Sequence, residues 1–572
     1  MSKRARHVVL ELDLAGGVAF APPANPLEAW RLRLAPSVRA VREGLRRAAG
    51  DDAVRGLVVH LGTCPLTLAQ ADEVAGLVAD FTEHKPSIAW TATFGELTSG
   101  LAGYRAALGA GEVWLQPSGA LGVAGVHLGI TLLRGGLEKL GLDPQFGQRH
   151  EYKSAADQLG ATEVSDANRE MVQRLADSIL DDTVARTAAR RSLDPAPVRE
   201  AVAQAPLSAA RALEAGLVDR LGYRDEVYAR LREQWGDGSG ADGGDGGVDL
   251  RYLQRYHSDG GRRETLARLT RHHQPAVAVV DVTGPIVLGP ARPGQAGDDV
   301  TARLREVGRD DDVSAVVLRV DSPGGSYVAS DAMRREVVRL REAGTPVVAT
   351  MGTAAASGGY FVAMAADEVV AQPTTLTGSI GVLAGKIVVG RLLERAGIVH
   401  EPVDAGPRAS LMAATVPFDD EAWRVLDAWL DEVYADFTTK AAADRGLDLA
   451  VLEPLARGRV WTGADAAERG LVDHLGGSAL ALDRACALAG VERDRVRLAT
   501  PSPLAFLKQL RPPESSEAAA AGARAAGFAS VAAPVGPEAL LRRLAEAVGV
   551  HLPHGVLSMP SGFEALLRPS GA

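Results

Sequence analysis

A whole-domain internal repeat is the feature of this 572-residue chain that most constrains its fold. A constant offset of 256 residues aligns many identical residues of the two halves. The aligned pairs are Tyr104 with Tyr360, Glu112-Val113 with Glu368-Val369, Gln116-Pro117 with Gln372-Pro373, Gly122 with Gly378, Glu138 with Glu394 and Gly141 with Gly397. The segment EAGLVDRLG from Glu214 matches ERGLVDHLG from Glu468 at an offset of 254. This period is far longer than a solenoid repeat, so it predicts two tandem copies of one domain.

A glycine- and aspartate-rich segment, GDGSGADGGDGG, divides the chain almost in half. Such a segment has almost nothing to bury and great backbone freedom, which is typical of a linker or a loop. We therefore predict a first copy over residues 1–235, a linker over 236–247 and a second copy over 248–498. The remaining residues, 499–572, form a Pro- and Ala-rich extension.

Short β-branched runs alternate with helical patterns in each copy. In the second copy the predicted strands lie at 276–282, 315–320, 346–350 and 368–372. Between them, residues 300–309, 330–344 and 357–366 show the i, i+3, i+4 apolar spacing of helices. Near-continuous apolar strands are typical of sheets covered on both faces. The predicted fold class is α/β, with two tandem domains of parallel sheet flanked by helices.

Composition excludes several classes of function. Lys and Arg total 62 against 72 Asp and Glu, a net charge of −10, so the chain has no overall positive field for nucleic acid. The two cysteines, Cys64 and Cys486, cannot form a disulfide framework or a four-thiolate metal site, and we predict that both are buried. The twelve histidines show no metal-binding spacing, so no metal or cofactor is predicted. No apolar stretch approaches the ~20 residues of a membrane span, so we expect a soluble, cytoplasmic protein.

Two segments of the second copy could carry chemistry. The turn Asp321-Ser322-Pro323-Gly324-Gly325 joins a strand to a helix, and its glycines would let backbone N–H groups approach an oxyanion. The same residues could also form only a turn. Ser357 follows three alanines and opens a helix, which suits an exposed nucleophile between small neighbours. A helix N-cap is the alternative role for this serine.

A nucleophilic serine needs a base, and lysine is the informative residue type. The chain has only seven lysines and otherwise uses arginine, whose guanidinium cannot give up its proton. A lysine is ordinarily a solvated surface charge, but the repeat singles out Lys153. At the 256 offset Ser357 falls on Leu101, and Lys153 falls on Ala409. Each copy keeps one member of the pair, which indicates a Ser-Lys dyad divided between the copies.

Four motifs resemble those of the signal peptide peptidase A family in its long, tandem-duplicated bacterial form. They are RVDSPGGS, AASGGYFVAMAADEVVAQPTTLTGSIGV, YKSA and GRVWTGADAAERGLVDHLGG, and the resemblance covers residues from about 40 to 490. That family consists of Ser-Lys proteases related in fold to the crotonases and to the Clp protease proteolytic subunit. The resemblance therefore implies two crotonase-like domains and a serine endopeptidase.

The resemblance also implies roles for individual residues. Ser357 would be the nucleophile, Lys153 the general base, and Ser379 a hydroxyl that orients the lysine. Gly325 N–H would form the oxyanion hole with the N–H of Gly358 or of Ser357 itself. The first copy has LTSGLAGY in place of the nucleophile motif, as expected for a half that supplies only the lysine.

Partners and location are implied only by the resemblance. Peptides would be the substrates, such as signal-peptide remnants, and the chain would form a homo-oligomer, with a tetramer as one form. Family members usually carry an N-terminal membrane anchor, so membrane association is the alternative to a cytoplasmic protein. Two other functions stay open, a crotonase-type acyl-CoA enzyme and a peptide-binding scaffold that has lost catalysis.

Overall fold

The computed structural model describes residues 7–20, 35–96, 98–235, 248–258, 274–499 and 557–558. The predicted linker at 236–247 lies outside the described residues, as does most of the predicted extension at 499–572.

The first copy is built on a six-stranded sheet of order β8-β4-β3-β2-β1-β9, in which every neighbouring pair is parallel. The strands are β1 His7–Asp13, β2 Val54–His60, β3 Ser87–Thr91, β4 Glu112–Leu115, β5 Ala120–Leu121, β6 Asp143–Gln148, β7 Leu207–Ser208, β8 Arg220–Leu221 and β9 Val248–Tyr252. The helices are α1 Val38–Ala49, α2 Leu68–Thr82, α3 Leu101–Ala107, α4 Arg134–Leu140, α5 Asp157–Gly160, α6 Asp166–Arg191, α7 Pro195–Ala203, α8 Ala209–Glu214 and α9 Arg224–Trp235.

The second copy repeats this plan on an eight-stranded sheet, whose main path is β17-β15-β13-β11-β10-β19. Off this path β14 pairs with β13, and β18 pairs with β14. The strands are β10 Ala276–Thr283, β11 Val313–Ser322, β12 Gly324–Gly325, β13 Val347–Ala356, β14 Glu368–Ala371, β15 Leu376–Gly378, β16 Leu383–Val388, β17 Val460–Thr462, β18 His474–Leu475 and β19 Arg497–Ala499, followed by β20 Leu557–Ser558. The helices are α10 Asp298–Val307, α11 Tyr327–Glu342, α12 Gly358–Ala363, α13 Gly390–Arg395, α14 Asp420–Arg445, α15 Leu449–Leu452, α16 Gly463–Glu468 and α17 Ser478–Leu488.

The predicted tandem α/β class is confirmed, and the repeat is visible in matching side-chain contacts. Tyr104 is buried and its hydroxyl donates to Leu217 O at 2.9 Å. Its counterpart Tyr360 is also buried and donates to Leu471 O at 3.1 Å. Both tyrosines therefore fix the same helix to the same turn, which explains why the repeat retains them.

The two copies pack into a continuous body. β6 of the first copy pairs antiparallel with β16 of the second. A buried hydrogen bond of 2.8 Å joins Thr67 Oγ1 to Thr353 Oγ1, and Thr374 Oγ1 donates to Asp72 at 2.7 Å. The segment that follows β6 carries Lys153, so this pairing directs that lysine toward the second copy.

The first sheet extends past the predicted domain boundary. Residues 248–252 fall in the predicted second copy, but they form a strand that pairs in parallel with β1 and completes the first sheet. No other described strand pairs with this edge of β1, and Val248 supplies a buried side chain there. The described part of the first copy therefore includes residues on both sides of the linker.

Candidate active site

Ser357 lies at a sharp turn between β13 and α12. It follows three buried alanines, and its φ and ψ are 54° and −113°. This conformation is costly for a residue with a Cβ and is typical of functional positions that the surrounding fold enforces. Ser357 occupies the N-cap position of α12, but its side chain makes no capping hydrogen bond there.

Lys153 meets Ser357 across the interface between the copies. Lys153 Nζ lies 2.7 Å from Ser357 Oγ and donates a hydrogen bond to it. The same nitrogen donates to Ser379 Oγ and to Ser379 O, each at 3.0 Å. All three side chains are 0% exposed. The structure therefore brings together three residues that lie up to 226 positions apart in the sequence.

Burial controls the charge of Lys153. Its three hydrogen-bond partners are neutral oxygens, and no described carboxylate contributes to its pKa shift. Desolvation lowers the pKa of Lys153 well below its ordinary value, because the buried ammonium loses its hydration without gaining a counter-charge. A lysine with a lowered pKa can hold a neutral amine, which is the form that accepts a proton.

A glycine of the second copy makes room for the Lys153 backbone. Gly458 has φ 81°, and a Cβ at this position would lie 2.5 Å from Lys153 Cα. One residue earlier, Arg457 O accepts a hydrogen bond of 3.2 Å from Tyr152 N. The lysine is therefore held by the second copy through its main chain as well as its side chain.

The glycine turn lies directly against the serine. Gly325 has φ 154°, and a Cβ there would lie 2.0 Å from Ile286 O. A Cβ on Gly358 would lie 3.1 Å from Gly325 N, so the two predicted oxyanion donors are neighbours. Ser357 N donates to Gly378 O at 2.8 Å and is already engaged. The N–H of Gly358 belongs to the first turn of α12, where N–H groups have no acceptor within the helix.

The main chain of the glycine turn also accepts an added strand. β20 pairs antiparallel with β12, with Gly324 opposite Ser558 and Gly325 opposite Leu557. The backbone beside Ser357 can therefore hold an extended peptide by strand addition.

A half-buried carboxylate anchors the strand that leads to Ser357. Asp321 Oδ1 accepts a hydrogen bond of 3.1 Å from Ala354 N, and the pairing of β11 with β13 shifts register between Val320 and Ser322. Burial raises the pKa of Asp321. The bulge held by this carboxylate sets the direction in which β13 enters the Ser357 turn.

The position in the first copy that corresponds to the Ser357 site has a cavity but no nucleophilic serine. A cavity of about 850 Å³ lies there, lined by Leu101 and Cys64 among other residues. Leu101 stands where the repeat places Ser357. Burial raises the pKa of the Cys64 thiol to about 12, so this sulfur is not a nucleophile near neutral pH. Cys64 and Cys486 are both buried, as predicted.

Sequence reasoning missed two contributors, Asp321 and Gly458. Asp321 was noted only as part of a glycine turn, although a carboxylate at the end of an apolar strand is itself a signal of a buried anchor. Gly458 begins a quoted motif, but its need for a positive φ next to Lys153 has no signal in a single sequence.

A model of peptidase family S49 matches residues 79–236 and 339–492, once in each copy and over more than half of the chain. The chain belongs to this family. The expected resemblance is thereby confirmed.

Several proteins similar to this chain carry protease names. The chain is 32% identical over 462 residues to the chloroplastic serine protease SPPA of Arabidopsis thaliana, covering 79% of this chain and 65% of that protein. It is 29% identical over 465 residues to Protease 4 of Haemophilus influenzae, covering 79% of this chain and 72% of that one. It thus spans about two thirds of the length of these relatives. A solved ClpP1 mutant from Listeria monocytogenes matches with a TM-score of 0.23 at 11% identity, over 38% of this chain and 98% of that one.

No helix in the described part of the chain combines the length and apolar character needed to cross a membrane.

Proposed function

We propose that this protein is a serine endopeptidase that hydrolyses peptides with a Ser357-Lys153 dyad. The observation that carries the proposal is the 2.7 Å contact between Lys153 Nζ and Ser357 Oγ in a fully buried setting. Membership of a peptidase family supports the same reaction class.

The first step is proton transfer within the dyad. In the neutral form, the Lys153 amine accepts the Ser357 proton while Ser357 Oγ attacks the scissile carbonyl. Ser379, whose Oγ and O both accept from Nζ, is a positioning residue that keeps the nitrogen directed at the nucleophile. The resulting ammonium then gives the proton to the leaving amine, and water releases the acyl group with Lys153 again as base.

Backbone N–H groups stabilise the tetrahedral oxyanion. Gly325 N–H and Gly358 N–H are the proposed donors, since they are neighbours and Ser357 N is bonded to Gly378 O. Donors fixed in a buried turn need no reorganisation as the charge develops, which is why such holes are effective.

Extended peptides are the proposed substrates. The pairing of β20 with Gly324–Gly325 supports this, because it has the geometry of a substrate strand beside the nucleophile. The small neighbours of Ser357, Ala356 and Gly358, favour small or apolar residues before the scissile bond. Signal-peptide remnants are one natural class with this character.

The two alternative functions have weaker support. An acyl-CoA enzyme of the crotonase type would use the backbone oxyanion hole and would not need a buried lysine in contact with Ser357. A scaffold without catalysis would have no reason to retain the costly φ of Ser357 and an uncompensated buried amine.

The test is hydrolysis of a peptide library by the wild type, Ser357→Ala and Lys153→Ala. The proposal expects cleavage after small or apolar residues by the wild type, and loss of at least about 10⁴-fold in kcat/KM for both variants. Ser99→Ala, a change in the first-copy cavity, is the matched control and should cleave normally. A wild type that cleaves no peptide but turns over acyl-CoA thioesters would overturn the proposal.

The proposed organisation is a homo-oligomer, with a tetramer as the form that the family resemblance implies. Cytoplasmic location and association with a membrane surface are the two alternatives for its place in the cell.

A further inference from the structure

Three side chains from the two copies hold the loop that carries Lys153. Tyr152, the residue before Lys153, donates its hydroxyl to Glu170 Oε2 at 2.9 Å. Arg459 Nη2 of the second copy donates to Glu170 Oε1 at 2.6 Å. Arg459 Cζ lies 4.8 Å from the centre of the Tyr152 ring. Each of the three residues therefore contacts the other two, and we call Tyr152, Glu170 and Arg459 the clamp.

Two aromatic rings set the position of the Arg459 guanidinium. Besides the Tyr152 ring, the Trp461 ring lies against it, with its centre 4.3 Å from Cζ. Trp461 is buried, and its Nε1 donates to Leu455 O at 2.9 Å. An arginine can stack its planar guanidinium on such rings while its N–H groups bond a carboxylate. A lysine ammonium is a point charge and does not reproduce this arrangement.

The main chain of Arg459 contacts the serine that orients the lysine. Ser379 N donates to Arg459 O at 2.7 Å. Ser379 has φ 51°, and both its Oγ and its O accept from Lys153 Nζ. Arg459 therefore contacts the lysine loop with its side chain and the orienting serine with its main chain.

The residue after Lys153 is tied to the helix that carries Glu170. Ser154 Oγ donates to Asn168 Oδ1 at 3.1 Å, and both side chains are buried. Asn168 and Glu170 both lie in α6. Lys153 is thus fixed along the chain on both sides, and the second copy takes part on the Tyr152 side.

The repeat retains the clamp only where the dyad is. The loop containing Tyr152 aligns at the 256 offset, whereas the 26-residue helices α6 and α14 and the segment at Arg459 align at the 254 offset. The residues at the equivalent positions could not rebuild the clamp or its tryptophan. They are Arg408 for Tyr152, Arg424 for Glu170, Ala205 for Arg459 and Leu207 for Trp461. The clamp therefore accompanies Ser357 and Lys153 and is not a general feature of the repeated fold.

We propose that Arg459 is a positioning residue of the dyad, which keeps Lys153 Nζ within hydrogen-bond reach of Ser357 Oγ by clamping Tyr152. The proposal rests on the proposed peptidase function, since the position of the lysine matters for turnover only if Lys153 is the base. Arg459 acts through Tyr152 and Ser379, so it is not itself a catalytic residue.

Loss of the guanidinium should affect turnover rather than substrate binding. A catalytic group displaced by about 1 Å can lose about 100-fold in rate. A loosened loop also admits water to the amine, which raises the pKa of Lys153 toward its ordinary value, because burial is what lowers that pKa. Since the neutral amine accepts the proton, the pH at which kcat is half-maximal should then rise.

The test compares the full-length variants Arg459→Met and Arg469→Met. Arg469 Cζ lies 4.2 Å from the centre of the same Trp461 ring, and its Nη1 donates to Asp465 O at 2.6 Å. The control thus removes an arginine from Trp461 and leaves the clamp in place. With a peptide that the wild type cleaves, Arg459→Met should lower kcat about 100-fold at unchanged KM and move the acid limb of the kcat profile to higher pH. Arg469→Met should match the wild type.

Two further variants grade the effect. Arg459→Lys should recover only part of the lost kcat, because it keeps the charge without the stacked guanidinium. Tyr152→Phe keeps the ring and loses the hydrogen bond to Glu170, so it should change kcat and the acid limb in the same direction by a smaller amount. This variant also carries the test if Arg459→Met does not fold, as judged by circular dichroism.

Amine acetylation mapped by mass spectrometry measures the position of Lys153 without a substrate. The chain has only seven lysines, so each can be followed separately. Lys153 is fully buried, and it should be acetylated slowly in the wild type and in Arg469→Met. In Arg459→Met its acetylation should be several-fold faster.

The proposal would be overturned if Arg459→Met had the kcat and the acid limb of Arg469→Met. A loss of kcat with Lys153 acetylated at the wild-type rate, or a rise in KM alone, would overturn it as well. If the wild type cleaves no peptide, the proposed peptidase function fails, and the acetylation rates still decide whether Arg459 holds Lys153 in place.

Discussion

Replacing Lys153 with methionine should change how the stability of the protein depends on pH. Methionine is an unbranched side chain of similar length that cannot be protonated, so it fills the same space without the amine. The substitution removes the three hydrogen bonds that Nζ donates to Ser357 and Ser379. That loss is nearly independent of pH, whereas the effect of the buried amine is not.

The magnitude follows from the lowered pKa of Lys153. Between that lowered pKa and the ordinary value of 10.5, the lysine is neutral in the folded protein and protonated in the unfolded chain. Unfolding then takes up one proton, so the free energy of unfolding rises with pH by about 1.4 kcal/mol per unit within this window. Below the lowered pKa both states are protonated, and the full cost of burying the ammonium destabilises the fold.

Urea unfolding of the wild type and Lys153→Met from pH 6 to pH 10 measures this difference. Groups other than Lys153 contribute equally to both proteins and cancel when the two free energies of unfolding are subtracted. Over part of this range, the free energy of unfolding of the wild type should rise relative to that of the variant by about 1.4 kcal/mol per pH unit. Parallel curves throughout would mean that Lys153 keeps its charge in the folded state, and the reasoning about the dyad would be refuted.

The other predictions concern activity. Lys153→Arg should be as inactive as Lys153→Ala in peptide hydrolysis, because arginine keeps the charge but cannot deprotonate; near-normal turnover by the arginine variant would exclude the general-base role. Ser379→Ala should lower kcat about tenfold with little change in KM, since one hydrogen bond to Nζ is lost; an unchanged kcat would remove Ser379 from the site. Gly458→Ala should lower kcat by ~100-fold through displacement of the Lys153 backbone, and a fully active variant would contradict the close contact. Fragments 1–258 and 259–572 should each be inactive alone and should regain activity when they are mixed. Peptide cleavage by the second fragment alone would contradict this prediction.

The architecture was predictable because its signals are local or periodic. The predicted strand at 276–282 became β10, and the predicted helix at 330–344 lies within α11 except for its last two residues. Apolar runs and helical spacing depend on neighbours along the chain, so one sequence is enough to identify them. Because the chain contains a repeat, the α/β fold predicted for one copy also applies to the other.

The parts that could not be predicted depend on contacts between distant residues. The predicted boundary assigns residues 248–252 to the second copy, and only their pairing with the edge strand β1 shows that they belong to the first sheet. The role of Asp321 rests on a bulge 33 residues away, at Ala354. Gly458 is needed because Lys153, 305 positions earlier, passes against it. No local pattern encodes such contacts.

The candidate site has features that the sequence predicts and features that depend on contacts between distant residues. The sequence singles out Ser357 and Lys153 because the repeat aligns each with a residue that lacks its chemistry. Ser357 aligns with Leu101, and Lys153 aligns with Ala409. The distance between them, and the burial that lowers the lysine pKa, required the folded interface.

Labelling with a fluorophosphonate probe, mapped by mass spectrometry, tests the central claim of a Ser357-Lys153 dyad most directly. The probe forms a covalent bond with an activated serine, so it reports nucleophilicity without requiring a known substrate. The wild type should carry the adduct on Ser357 alone, and labelling should be lost in Lys153→Arg and Lys153→Ala. An adduct on a different serine, or equal labelling of Ser357 in the arginine variant, would contradict a serine activated by this lysine.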